Sequence, residues 1–99
     1  MVKGGAIYIM TNKTHSTIYV GVTSELYNRV YQHKTNYYPN SFTAKYNCHK
    51  LVHFETFHSI EEAIDREKQI KAGSRKKKIE LINSNNSEWK DLFEEIKKW

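Results

Sequence analysis

Three groups of side chains in this chain are placed to do chemistry. The first is a carboxylate on the wrong side of a helix. The segment "SIEEAIDREKQIKAG", Ser59 to Gly73, has Ser59 followed three residues later by Glu62, a capping box, and ends at Gly73, suited to a left-handed C′ position. At 100° per residue Ile60, Ala63, Ile64 and Ile70 form one apolar stripe, and Glu67 falls in its middle. A buried carboxylate is costly unless paired or holding a metal ion. Glu67 is therefore either half of an ion pair, with Arg29 a candidate partner, or a functional carboxylate. The second group is Arg29 and His33, four residues apart and so on one side of a helix. They are either a solvated flank or a working pair. The third is Tyr8 and Tyr19, on strands that face each other. Such a pair is ordinarily a cross-strand aromatic contact, but two phenols side by side can also hydrogen-bond a substrate.

These residues must be held by a small α+β unit. "AIYIM" (Ala6–Met10) and "TIYVGV" (Thr17–Val22) are β-branched and aromatic, separated by the polar "TNKTHS", and read as a β-hairpin. A turn centred between Lys13 and Thr14 pairs Ile7 with Val20, Ile9 with Ile18 and Tyr8 with Tyr19. The aliphatic residues then share one face and the phenols the other, with Gly21 beside them. A slip of two residues keeps these faces, whereas a slip of one exchanges them. Next comes a helix with Ser24 as N-cap and Leu26, Tyr27, Val30 and Tyr31 as its apolar stripe. A loop, "TNYYPNSF", carries the single proline, Pro39. "KLVHFETF" (Lys50–Phe57) is a third strand. The Ser59–Gly73 helix, a helix from Arg75 to about Ile82 and a last helix from Glu88 toward Trp99 complete the pattern. The simplest assembly is a small three-stranded antiparallel sheet flanked by helices.

At 99 residues there is room for one modest core. Sixteen Lys and Arg against eleven Asp and Glu leave a net charge of +5, which favours polyanionic partners, nucleic acid first. The run "SRKKK", Ser74–Lys78, puts cations on the first turn of a helix against its dipole, at some tenths of a kcal/mol each; a bound phosphate would offset that. One cysteine, Cys48, rules out an internal disulfide and suits a reducing cytosol. The opening "MVKGGAIYIM" is too short an apolar run for a signal peptide or membrane span, so a cytoplasmic protein with no membrane partner is expected. Cys48, His49, His53 and His58 divide between two faces of a strand, which argues against a zinc site.

"AIY" at Ala6–Tyr8 and "YVG" at Tyr19–Gly21, Arg29 and His33 on the next helix, and Glu67 on a later one together resemble the GIY-YIG nuclease domain. No single element is specific; the ordered set on strand, strand, helix and helix is. The resemblance runs from about Gly4 to Asn83, and is strongest to the small stand-alone bacterial branch without an appended DNA-binding domain. Residues 4–83 would be the nuclease domain, with residues 84–99 a C-terminal helix packed on it. Ala6 and Val20 replace a glycine and an isoleucine of the signature, and neither change removes a chemical group.

The resemblance implies a metal-dependent endonuclease of low sequence specificity that hydrolyses phosphodiester bonds. Glu67 would hold one divalent ion, Mg²⁺ or Mn²⁺. Tyr8 would be the general base, Tyr19 a hydrogen-bonding partner of water or phosphate, Arg29 the phosphate clamp, and His33 a relay or an orienting group for Tyr8. Asn83 matches a late polar residue near the phosphate, with Asn85 and Asn86 as alternatives. Lys50, Arg75, Lys76, Lys77 and Lys78 would contact the nucleic-acid backbone, DNA ahead of RNA, and a monomer is expected. Two other readings compete. One is a non-catalytic nucleic-acid-binding module that keeps the fold and stacks bases on Tyr37, Tyr38 and Phe42. The other is an interaction protein that uses Trp89, Leu92, Phe93 and Ile96, although their spacing suits core better than interface.

Overall fold

The computed structural model describes residues 4–98. The order is β1 (Gly5–Thr11), β2 (Ile18–Thr23), α1 (Leu26–Lys34), α2 (Phe42–Lys45), β3 (Lys50–Phe57), α3 (Ile60–Ala72), α4 (Arg75–Asn85) and α5 (Phe93–Ile96). The sheet is antiparallel with strand order β2-β1-β3, the expected α+β architecture. β1 is central and buried along its whole length.

Two-residue alternation along β1 sorts the core into two layers. Ile7 and Ile9 join Val20, Val52, Ala63, Ile70, Ile82 and Trp89 on one face. Ala6, Tyr8 and Met10 join Leu26, Val30, Cys48, Leu51 and Ile96 on the other, with Tyr19 packed against them. The expected division of aliphatics from phenols therefore holds. The register within it does not. Ile7 faces Val22, Tyr8 faces Gly21, Ile9 faces Val20, and Met10 faces Tyr19, a slip of two residues. The cause lies in the turn. The Asn12 carboxamide oxygen accepts the amides of Ser16 and Thr17, and His15 adopts φ 61°, so the loop centre moves along the chain.

The helices depart from expectation in three places. Glu25 rather than Ser24 is the N-cap residue of α1, and its amide donates to Thr23 Oγ1. Ser59 caps α3 as expected, accepting the Glu62 amide, but Gly73 ends the helix in extended backbone, φ −77°. The chain does not need a left-handed exit, because Ser74 starts α4 at once and accepts the Lys77 amide. The third difference is the last segment. No helix starts at Glu88, and the only helical turn there among the described residues is α5; Trp99, the expected end, lies outside them.

Asn86 accounts for that break. It donates to the carbonyls of Val52 and Lys90 and accepts the Lys90 amide, while Trp89 takes φ 54°. The chain then wraps round the edge strand β3: Leu92 donates to the Leu51 carbonyl, Asp91 accepts the Leu51 amide, and Lys34 pairs with Asp91. This covers an edge that would otherwise offer unpaired backbone groups. Trp89 joins the Ile7/Ile9 layer, whereas Ile96, Leu92 and Phe93 join the Tyr8 layer. The four apolar residues of this segment are core, divided between two faces rather than aligned on one.

Candidate active site

Tyr8 rises from the middle of β1 with its phenol over the edge strand β2. A Cβ placed on Gly21 would stand 2.3 Å from Tyr8 Cζ and 2.4 Å from its oxygen. Only a residue without a side chain lets the ring lie there. Gly21→Ala is expected to force the ring aside, destabilising the fold by about 2 kcal/mol and lowering any Tyr8-dependent activity roughly tenfold to a hundredfold. Thermal unfolding with an activity assay at matched folded fraction checks both.

The Tyr8 hydroxyl meets His33 Nε2 at 2.8 Å. His33 comes from the last turn of α1, which is seated on the sheet by Leu26 and Val30. Tyr19 completes an aromatic cluster, its ring 6.2 Å from that of Tyr8 and 5.5 Å from His33. Tyr19 also stacks on Phe42 at 5.8 Å, and Phe42 packs on Tyr46 at 4.7 Å. The tail of this ladder is open to solvent, with Phe42 and Tyr46 both exposed.

Burial and the neighbouring Tyr19 phenol push the Tyr8 hydroxyl well above the ordinary tyrosine range. The Arg29 guanidinium opposes them, and the Glu67 charge adds to the rise. The phenol is thus protonated and available as a donor. His33 moves the opposite way, down to about 4, through burial first and Arg29 second. It is a neutral imidazole near pH 7. Because the unfolded ring titrates near 6.5, the unfolded state binds the extra proton between about pH 6.5 and 4. The stability His33 contributes is therefore complete above about 6.5 and is lost as pH falls through that window, by about 3 kcal/mol at most. Melting temperatures at pH 7.5 and 4.5 should show a larger acid loss for the wild type than for His33→Gln.

Glu67 comes from α3, on the other face of the sheet. Ala63 and Ile70 of α3 pack in the Ile7/Ile9 layer, and the helix lies tightly on β1, where a Cβ on Gly5 would come within 2.9 Å of the Ala63 methyl. Arg66 donates from Nε and Nη2 to both oxygens of Glu55 on β3, which fixes how α3 is turned. Glu67 then approaches the β2 edge, near enough to Tyr8 for its charge to act on the phenol. Its side chain is 14% exposed, and its ion-pair partner is Lys71 at 2.9 Å, one turn along the same helix. Arg29 is not that partner.

Tyr8, Tyr19 and His33 thus meet from three elements, and the charges of Arg29 and Glu67 lie within electrostatic reach of the Tyr8 phenol. The other expected residues lie elsewhere. Asn83, on α4, accepts the Trp89 indole N–H at 2.6 Å; Asn86 is buried in its own network and Asn85 ends α4. α4 packs through Ile82 with the layer away from Tyr8. Among the basic residues, Arg75 donates to the carbonyls of His15 and Ser16 in the hairpin loop, Lys78 to the Gly73 carbonyl, and Lys50 meets His15 Nε2 at 3.0 Å. Lys76 and Lys77 are exposed.

One contributor escaped the sequence reading. His33 Nδ1 meets Thr43 Oγ1 at 2.7 Å, and Thr43 belongs to α2, a helix of four residues that starts at the last residue of the expected loop, Phe42. Ser41 before it, a good N-cap residue, and Phe42 and Tyr46 at i, i+4 spacing were the available signal.

This geometry meets an independent likeness. The model of the GIY-YIG catalytic domain matches residues 4–80. The chain belongs to the GIY-YIG catalytic domain family. It is 34% identical over 79 residues to a UPF0213 protein of Syntrophus aciditrophicus (strain SB), covering 80% of this chain and 90% of that protein. A UPF0213 protein of Clostridium perfringens (strain 13 / Type A) is 35% identical over 94 residues, covering 91% and 95%. The solution NMR structure of a UPF0213 protein from Bacillus halodurans superposes with a TM-score of 0.56 at 26% identity, covering 89% of this chain and 92% of that one. The GIY-YIG domain places the chain among nuclease-type folds, in a branch of small single-domain bacterial proteins. No helix among the described residues is long and apolar enough to cross a membrane.

Proposed function

We propose that this GIY-YIG protein is an endonuclease that hydrolyses phosphodiester bonds of nucleic acid, DNA ahead of RNA, with little sequence preference. The observation that supports this reading is the Tyr8–His33 hydrogen bond packed beside Tyr19, with the Arg29 and Glu67 charges near enough to act on the phenol. Hydrolysis of a phosphodiester needs a deprotonated water, neutralised phosphate charge and a stabilised leaving oxygen. A phenol held protonated by burial is a poor base by itself. With His33 behind it, it becomes a shuttle: the attacking water gives its proton to the Tyr8 oxygen as the Tyr8 proton passes to His33 Nε2. The hydroxide forms its bond to phosphorus while the bond to the 3′ oxygen breaks, and no free phenolate accumulates. Arg29, exposed beside this pair, clamps the non-bridging oxygens, and Tyr19 orients the water or phosphate.

Divalent metal is general in GIY-YIG nucleases, and the donor set here suits a hard, hydrated cation. Glu67 offers one carboxylate, 14% exposed, and Mg²⁺ tolerates such sparse ligation because it keeps most of its waters. Held by Glu67, Mg²⁺ or Mn²⁺ would neutralise charge on the phosphate and the leaving oxygen. The exposed Lys76 and Lys77 are free to contact phosphates along the backbone, and binding is then steeply salt-dependent. Lys50, Arg75 and Lys78 keep further N–H donors for phosphate beside their present partners, and Trp89 engages only the carboxamide oxygen of Asn83. Action in a reducing cytosol accords with the single buried thiol, Cys48.

A second reading keeps the fold without catalysis. It is favoured by the exposed rings of Tyr37, Tyr38, Phe42 and Tyr46, surfaces on which bases stack. The test is incubation of purified protein with labelled single-stranded DNA, duplex DNA and RNA, in Mg²⁺ or Mn²⁺ and in EDTA. Metal-dependent cleavage that disappears in Glu67→Ala supports the endonuclease. Binding without cleavage of any substrate selects the second reading.

A further inference from the structure

His33 is fastened at both ring nitrogens by short bonds in a closed environment. Nε2 meets the Tyr8 hydroxyl at 2.8 Å and Nδ1 meets Thr43 Oγ1 at 2.7 Å. Relative exposures are 8% for His33, 1% for Tyr8 and 1% for Thr43, so the two ring nitrogens are shielded from bulk solvent. A neutral imidazole has one N–H and one bare nitrogen, and the neighbours decide which is which. A neutral phenol donates to a nitrogen base far better than it accepts from one, which leaves Nε2 bare and puts the ring proton on Nδ1. Thr43 Oγ1 must then accept. Its own proton has an outlet, because Ser41 Oγ lies 3.2 Å away and, as the N-cap of α2, already acts as an acceptor for the Ala44 amide.

We propose that Thr43, supported by Ser41, is a positioning residue that holds His33 with its proton on Nδ1 and its bare Nε2 toward Tyr8. The proposal rests on the endonuclease reading for its purpose but not for its geometry. When the Tyr8 proton reaches Nε2, the O–H bond breaks, an N–H bond forms, and the imidazolium keeps its Nδ1–H donation to Thr43 throughout. Thr43 thus stabilises the charged ring as well as orienting the neutral one.

The test begins with ¹⁵N-labelled wild-type protein, whose long-range ring correlations report the tautomer directly at pH 7. Protonated Nδ1 with bare Nε2 is expected, and the reverse overturns the proposal whether or not the protein cleaves anything. Thr43→Val keeps the shape but leaves a buried Nδ1–H without an acceptor, a cost that offsets the preference set by Tyr8, so the ring should become a mixture of tautomers while Thr43→Ser restores the wild-type pattern. For cleavage, Thr43→Val should lower kcat about 10- to 100-fold with KM changed less than about threefold, and Thr43→Ser should recover most of it. An unaltered tautomer and kcat in Thr43→Val would overturn it. Should Thr43→Val fail to fold, the wild-type spectrum and Thr43→Ser still decide.

Discussion

Tyr8→Phe is expected to lower cleavage by about 10³-fold or more while leaving the protein folded. The upper part of that loss follows from what the hydroxyl does. General acid–base groups contribute roughly 10²–10⁴-fold, and here the hydroxyl is the link between water and His33, so no part of the shuttle survives its removal. The ring stays, so the Tyr8 layer keeps its packing and the Gly21 contact is relieved rather than strained. The cost to stability lies at the far end of the bond. His33 Nε2 loses its partner inside the protein, and a buried acceptor left unsatisfied costs about 1–3 kcal/mol. Melting should fall by several degrees, since about 1 kcal/mol moves a domain of this size by roughly 4–8 °C. The measurement is single-turnover cleavage on the best substrate at a temperature where both proteins are folded. Retention of more than about a tenth of the wild-type rate would remove Tyr8 from the proton path and leave His33 to act on water directly.

How Tyr8 came to be identifiable bears on what a single sequence can tell. Alternation along Ala6–Met10 and Ile18–Val22 survives any even shift of register, so the face that Tyr8 and Tyr19 share was legible although the pairing was off by two residues. The pairing depended on Asn12 closing the hairpin loop with its side chain, a local choice that strand patterning does not encode. Helical spacing likewise brought Arg29 beside His33 and put Glu67 in its stripe. Contacts distant in sequence were not legible. Thr43 reaches His33 from a helix too short to show periodicity, and Asn86 breaks the final segment by bonding to β3, 34 residues away. A run such as Trp89, Leu92, Phe93 and Ile96 has helical spacing, yet the Asn86 network outweighs that propensity and divides the run between two layers. Asn83 carried only the family's order of residues, and in the fold its amide belongs to Trp89.

Glu67→Gln carries the second large expectation: loss of divalent-dependent cleavage by about 10³-fold or more, with stability changed by less than about 1 kcal/mol. Charge, rather than shape, is what the substitution removes. Two roles for the carboxylate make opposite predictions elsewhere. If Glu67 served the fold through its bond to Lys71, then Lys71→Met would damage the protein as much as Glu67→Gln does. The Lys71 side chain is 51% exposed, however, and an i, i+4 pair of that kind contributes only about 0.3–0.5 kcal/mol. A carboxylate so largely buried gains too little from this partner to explain its place among Ile60, Ala63, Ile64 and Ile70. Lys71→Met is therefore expected to fold normally and to keep cleavage within about threefold of wild type, and freeing Glu67 of its counter-charge should tighten divalent binding. Melting curves with and without Mg²⁺ give a readout that needs no substrate: the Mg²⁺-induced shift should be absent in Glu67→Gln and at least as large as wild type in Lys71→Met. Equal loss of cleavage in the two variants would make Glu67 a structural residue. Cleavage undiminished in Glu67→Gln would place the metal, and with it the reaction, somewhere other than the β2 edge.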